Sequence, residues 1–350
     1  MTTIQEVAKR AGVSISTVSR VLNGTARVND EVKERVYEAI QALDYRPNRA
    51  ARLLRANTSR IIGLLISDLQ NPFFMDIIKG VEDTAQRNGY SVILCNSDED
   101  AKREQRYLEV LFDERVAGAI IVPTHEQLEG LTRFQEHDIP VVALDRRITV
   151  KGMNIDAVLA DNVLGASQAV THLIENGYRR IGVITGPKST TTGRERLEGY
   201  RQALRRAGIT PDPALERSGP YKAEAGRQLA ESLLSLDPPI DALFACYNMV
   251  TLGAMDALYA HKLRVPDDIA LVGYDEMPWA SLGAISLTTV VQPAYEMGTS
   301  AALRLFQRLQ YRGESARQEI MLTPTLRIRG SSQPRPSRTI DNKEKIDAKY

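Results

Sequence analysis

Two hydrophobic periodicities divide this chain. Over residues 4–43 apolar side chains recur every three or four positions, the spacing of one helical face. Ile4, Val7 and Ala8 share such a face, and Thr3 stands three residues before Glu6, the capping-box pattern that opens a helix. Gly12 interrupts the pattern. Ser14 is a good N-cap for a second helix, with Val18, Val21 and Leu22 on its inner side and Asn23-Gly24 closing it. That leaves Ile15, Ser16, Thr17, Ser19 and Arg20 on or near its outer side. A third helix is predicted after Asn29, with Asp30 and Glu31 in its electropositive first turn and with Val32, Val36, Ile40 and Leu43 spaced four, four and three apart.

From Arg60 onward the pattern changes. IIGLLI (61–66), SVILCN (91–96), GAIIVP (118–123), VVALD (141–145), AVLAD (157–161), RIGVITG (180–186), ALFACY (242–247) and IALVGYD (269–275) are continuous apolar runs and are predicted to be buried parallel strands. Segments such as 73–88, 101–113, 163–176 and 193–207 are long enough for the helices between them. This alternation predicts an α/β fold, and two doubly wound units fit the number of strands better than one sheet. A ligand cleft is then expected between the units, outside the carboxyl ends of the strands.

Composition adds little to this picture except at the N-terminus. The net charge is +1, but residues 1–60 hold eleven Lys/Arg against six Asp/Glu, a net of +5. That asymmetry fits an end that faces nucleic acid. Cys95 and Cys246 are the only cysteines, too few for a disulfide scaffold and consistent with a reducing compartment. The polar start, MTTIQEVAKRAG, is unlike a secretion signal, and no apolar run reaches membrane-spanning length. A cytoplasmic location is expected.

Enzyme signals are missing from the sequence. There is no G-x-G-x-x-G after a strand, no G-x-S-x-G, no P-loop and no H-E-x-x-H. His125, His137, His172 and His261 are scattered without metal-ligand spacing. No cofactor, metal or catalytic residue is expected. A sugar-binding protein would share the two-unit core, but it would not carry residues 1–60; a sugar-converting enzyme would need a base or nucleophile that cannot be named.

A short helix, a Gly-containing turn and a polar helix bearing small hydroxyls and an arginine suit the major groove of DNA, where hydroxyls hold phosphates and a forked guanidinium reads guanine. AxxAGVSxxTVSRVLNG followed by VNDEVKERVYEAIQALDYRPN closely resembles the headpiece of the lactose-repressor (LacI) family, almost unbroken from Ile4 to Arg60. The resemblance implies that Ile15, Ser16 and Arg20 contact bases. It puts Thr3, Ser14, Thr17, Ser19 and Asn23 on phosphates, and Tyr45 and Asn48 on the backbone beside the minor groove. Residues 49–55, helix-prone and basic, correspond to a hinge helix that orders on the operator, and Leu54 to the leucine wedged into the central minor groove. Ile15 and Ser16 form the family's variable pair, so the operator is expected to be this protein's own.

The remaining residues resemble the sensor core of the same family through SDLQNPFF, TGRERLEGY, VPDDIALVGYDE and LTTVVQP. That core is similar to periplasmic sugar-binding proteins. The resemblance implies effector contacts at Phe73, Phe74, Asp145, Arg196, Asp275 and Trp279. At Tyr247 the chain departs from the family, because Tyr247-Asn248 stands where many relatives carry Asn-Asp. Guanidinium and carboxylate groups each bind two neighbouring hydroxyls, and an aromatic ring covers the apolar face of a sugar. The effector is therefore expected to be a sugar, sugar acid or related polyol.

The implied organisation is a headpiece at 1–46, a hinge at 47–59 and an effector-binding and dimerisation core at 60–330. Within the core the N-subdomain takes 60–161 and 291–322, and the C-subdomain 162–290 and 323–330. Residues 331–350 are polar, contain prolines and lack leucine heptads; they are expected to be a disordered tail, leaving a homodimer on a pseudo-palindromic operator.

Overall fold

The computed structural model describes residues 2–23, 28–45, 59–278, 280–281, 286–311 and 316–334. The chain divides into two compact units between Ser59 and Arg60.

The first unit holds α1 (Ile4–Ala11), α2 (Ile15–Asn23) and α3 (Asp30–Ala42). Local chemistry sets each start. Both halves of the capping box form, Glu6 N donating to Thr3 Oγ1 and Thr3 N donating to Glu6 Oε2. Thr17 N donates to Ser14 Oγ, and Glu31 N donates to Asn29 Oδ1. Gly12, at φ 64°, supplies the left-handed turn that ends α1. Val7, Ala8, Ala11, Val18, Val21, Val36 and Ala39 form the shared core. Leu22, Ile40 and Leu43 pack at its edge rather than at its centre.

The second unit contains two six-stranded sheets. The first comprises β1 (Ile61–Ile66), β2 (Ser91–Asn96), β3 (Gly118–Ile121), β4 (Val141–Leu144), β5 (Asp156–Ala160) and β11 (Glu319–Leu322), in the order β11-β5-β4-β3-β1-β2. The second comprises β6 (Ile181–Thr185), β7 (Glu216–Ser218), β8 (Ala242–Ala245), β9 (Ala270–Tyr274), β10 (Thr288–Val291) and β12 (Thr325–Arg327), in the order β12-β10-β9-β8-β6-β7. All pairings are parallel except that of β10 with β12.

The helices between them are α4 (Pro72–Arg87), α5 (Ala101–Asp113), α6 (Thr132–Glu136), α7 (Asn162–Glu175), α8 (Thr191–Arg206), α9 (Ala223–Leu234), α10 (Asn248–Ala260) and α11 (Ala294–Gln310). The chain enters the second sheet after β5, returns to the first after β10, and crosses a third time between β11 and β12.

Sheet coverage explains the apolar runs. Ile62, Leu64 and Ile66 of β1 face Phe74, Ile77 and Met297, from α4 and α11. Leu65 faces Leu108 and Leu111 of α5 on the other side. A strand covered on both faces has no polar side to alternate with. Three readings need correction. The expected disordered tail does not begin at 331: Ser331 and Ser332 are buried, with Ser331 Oγ accepting from the Thr288 amide at 2.8 Å and donating to Leu271 O at 2.6 Å. SVILCN is parallel but not buried: β2 is an edge strand, with Leu94 exposed. Strands β7, β10, β11 and β12 have no counterpart in the predicted set; each has only three or four residues, and all four carry charged or hydroxyl side chains.

Asp156 ties α11 to β5 and β11. It accepts hydrogen bonds from Arg304 Nε at 2.6 Å, from Arg308 Nε and Nη2 at 2.7 Å each, and from the Gln318 amide at 2.8 Å. Burial works to raise this carboxyl, but the bonds from Arg308 and Arg304 outweigh it and hold the group below its ordinary range. Among the described residues no helix is long and apolar enough to cross a membrane.

Candidate functional site

On the headpiece, α2 turns Val18 and Val21 inward, which fixes what its other face presents. Ile15, Ser16 and Arg20 are exposed. Ser14 Oγ lies 2.7 Å from Ser16 Oγ and 2.8 Å from Thr17 Oγ1, so three hydroxyls gather at the helix N-terminus. Such a cluster suits phosphate oxygens. Thr3 caps α1, Ser19 is half-buried, and Tyr45 packs beside the core with its amide bonded to Ile40 O. Asn23 ends α2. Asn48, Leu54 and Trp279 lie outside the described residues.

In the core, the carboxyl ends of the two sheets face each other, and the loops leaving them carry the remaining candidates. Asp145 follows β4 and Asp275 follows β9, each in the left-handed region at φ 64° and 69°. Residues other than glycine rarely hold this backbone except where the surroundings impose it, which marks a place to look for function. Both are buried, at 4% and 2% exposure. Among the described residues Asp145 Oδ1, Asp275 Oδ2 and Gln292 Oε1 find no hydrogen-bond partner, nor does Arg146 Nε, which stands 3.6 Å from Asp145 Oδ2 as an ion pair. Buried polar atoms are nearly always paired, so these unpaired ones define a ligand-shaped demand.

The cations are held by the protein itself. Arg146 donates through Nη1 to Glu99 Oε2 at 2.8 Å and to Pro123 O at 3.0 Å, and through Nη2 to Glu99 Oε1 at 2.6 Å. Its guanidinium also lies 4.8 Å from the centre of the Tyr221 ring. Arg196 donates through Nε to Asn162 Oδ1 and through Nη1 to Cys246 O, and it stacks 3.6 Å over Tyr274. Its bonds run to these groups rather than to Asp275, which accepts from Gln292 Nε2 at 2.6 Å.

Electrostatics follow from burial. Burial pushes the Asp145 carboxyl up to about 6; Arg146 and Arg196 oppose the rise, while Asp275 and Glu99 add to it. Burial also raises Asp275, against Arg196 and the Gln292 bond. These mutual influences between Asp145, Asp275 and Arg196 put the ends of both sheets in one electrostatic environment. Within it Arg146 is shared between Glu99 and Asp145, whose Oδ2 lies 3.6 Å from its Nε, so the three carboxylates of Glu99, Asp145 and Asp275 meet two guanidiniums, those of Arg146 and Arg196. Three of the four unpaired atoms are acceptors, so the site calls mainly for hydrogen-bond donors on a group carrying no negative charge.

Phe73 and Phe74 pack edge to face, 5.1 Å apart, inside the apolar cluster of the first sheet. Tyr247 is buried and its hydroxyl accepts from Asn71 Nδ2. Residue patterns alone did not single out Asn71, Arg146, Asn162, Tyr221 or Gln292, all of which stand here. Some signals were present: Asn71 precedes Pro72 as a helix cap, and Arg146 directly follows the strand-ending aspartate. Gln292 stands within the LTTVVQP motif, and Tyr221 carried no signal.

Comparison with known proteins bears on both units. Residues 3–48 match the model of bacterial regulatory proteins of the lacI family, and residues 59–326 that of periplasmic binding proteins and the sugar-binding domain of the LacI family. The chain is 38% identical over 310 residues to the ribose operon repressor of Halalkalibacterium halodurans, covering 89% of this chain and 91% of that one. It is 36% identical over 336 residues to the transcriptional repressor PurR of Haemophilus influenzae (strain PittEE), covering 95% and 98%. In structure it is similar to the lac repressor dimer bound to operator and the anti-inducer ONPF, with TM-score 0.82, 29% identity and coverage of 95% and 99%.

Proposed function

Because this chain belongs to the LacI family and is a DNA-binding transcription regulator rather than an enzyme, we propose that it represses its targets as a cytoplasmic homodimer under the control of a small neutral polyol bound between the two subdomains. The observation that carries the effector reading is the set of buried polar atoms without a hydrogen-bond partner among the described residues: Asp145 Oδ1, Asp275 Oδ2 and Gln292 Oε1 can accept, and Arg146 Nε can donate. Hydroxyl groups satisfy both kinds. A sugar acid or phosphate would bring a negative charge to two carboxylates and suits the site less well.

Each headpiece would lay α2 in the major groove, with Ile15, Ser16 and Arg20 toward the bases and Thr3, Ser14, Thr17, Ser19 and Asn23 toward phosphates. Tyr45 and Asn48 would grip the flanking backbone, and Leu54 would wedge the central minor groove. Effector couples to DNA only through a difference in its affinity for the two forms of the protein. The ribose repressor among the relatives makes D-ribose the first sugar to try. The test is a melting-temperature screen of the intact protein against neutral sugars, sugar acids and purines, followed by operator binding with each hit. A neutral sugar that raises the melting temperature and shifts operator affinity supports the reading. Stabilisation by acids or purines alone overturns it.

A further inference from the structure

Asn71 and Tyr247 lie in different subdomains, 176 residues apart, and share a 2.6 Å hydrogen bond. Asn71 leaves β1 as the N-cap of α4, its Oδ1 accepting from the Phe73 amide at 2.9 Å. The same oxygen accepts from Asn248 Nδ2. Thus one asparagine from the first subdomain is gripped by two consecutive residues at the start of α10 in the second. Asn71 and Asn248 are fully buried, and Tyr247 is 4% exposed. Burial keeps the Tyr247 hydroxyl protonated, a neutral acceptor for the amide.

The phenol ring of Tyr247 is walled in as well. Its centroid lies 4.5 Å from that of Tyr221, whose hydroxyl meets Thr190 Oγ1 at 2.6 Å and Thr192 Oγ1 at 3.0 Å, and whose face carries Arg146. The space between the subdomains is therefore taken up here by two phenol rings and an amide clamp. The buried polar atoms without a hydrogen-bond partner among the described residues belong to other side chains, those of Asp145, Arg146, Asp275 and Gln292.

We propose that Tyr247 sets the size of the effector: clasped to Asn71, its ring fills part of the cleft, restricts the site to a single sugar ring, and holds the subdomains together there before any ligand arrives. This rests on the cleft being the effector site. A cross-cleft bond of this kind shifts the closed population, and with it the apparent affinity of a ligand that needs closure, by about threefold to tenfold.

Two measurements on the full-length protein test it. The first needs no ligand. Tyr247→Phe keeps the ring and removes only the hydroxyl, so in hydrogen exchange the amides around Asn71 should exchange about threefold to tenfold faster, along with those around residue 247. A purely local packing role would leave the Asn71 side, in the other subdomain, unchanged, and that result overturns the clasp. The second is calorimetry with D-ribose and cellobiose. Wild-type protein should bind ribose and not cellobiose, whereas Tyr247→Ala, or Tyr247→Asn should alanine fail to fold, should gain cellobiose binding. Variants that bind ribose but still reject cellobiose, or wild type that accepts cellobiose, overturn the size limit. Wild type that binds no sugar at all refutes the effector reading and the size limit with it, while hydrogen exchange still decides the clasp.

Discussion

Asp145 and Asp275 occupy equivalent places in two different sheets. Each is the first residue after the fourth strand of its α/β unit, each is left-handed, and each amide bonds forward to the next strand, Asp145 N to Val158 O at 2.9 Å and Asp275 N to Val290 O at 2.8 Å. Each has one carboxylate oxygen without a hydrogen-bond partner among the described residues. The backbone strain costs roughly 1–2 kcal/mol per residue and the unpaired oxygens cost more. Two such costs in matched positions mark the pair as a candidate binding site.

Asp275→Asn should separate effector binding from folding. Asparagine tolerates the left-handed backbone, and its carbonyl still accepts from Gln292, but the second oxygen becomes a donor. Calorimetry with the effector should show affinity falling about tenfold to a hundredfold, the usual worth of a hydrogen bond to a charged group. Melting temperature should not fall, because a buried charge is removed. Unaltered effector affinity would mean that the site lies elsewhere.

Effector affinity should depend on pH near 6. With the Asp145 carboxyl at about 6 in the folded protein and near 3.8 unfolded, the folded state holds more protons between those values. Its contribution to stability is therefore full below about 4 and is lost as pH rises through 6. Sugar hydroxyls donate to the ionised form. Binding should therefore weaken as pH drops below 6, approaching tenfold per unit, with proton release visible in calorimetry across buffers. A flat affinity between pH 5 and 7.5 would remove Asp145 from the contact set.

Gly186→Ala should loosen the cleft without touching the headpiece. A Cβ at this position would lie 2.2–2.4 Å from atoms of the Tyr221 ring, forcing that ring off Arg146 and Tyr247. About a tenfold loss of effector affinity is expected from titration calorimetry, a misplacement cost of the size of one good contact. Operator binding without effector should stay within twofold.

Arg20→Ala should weaken binding to the protein's own operator by about 1–3 kcal/mol and relax preference at a single base pair. A gel-shift series over point-substituted operators reads both effects. A uniform loss across all sequences would reassign Arg20 to a phosphate.

Much of this protein was legible in its sequence because the relevant physics is local. The capping box at Thr3 and Glu6, the glycine turn at Gly12 and the apolar spacing of α1 to α3 each depend on neighbours within four residues. Central strands such as β1 and β9 declare themselves because both faces are covered, which makes the run apolar throughout. The family match then fixed the kind of protein. Tertiary structure alone decided the rest. The short strand β12 exists only because the chain recrosses to pair with β10, and no residue within β12 announces that partner. The site assembles from positions 71, 145, 146, 196, 247, 275 and 292, and nothing in the local sequence says that Asn71 meets Tyr247 or that Glu99 takes up Arg146. Local sequence sets backbone preference and burial pattern; which buried polar atoms find partners within the protein is settled only when distant segments pack together.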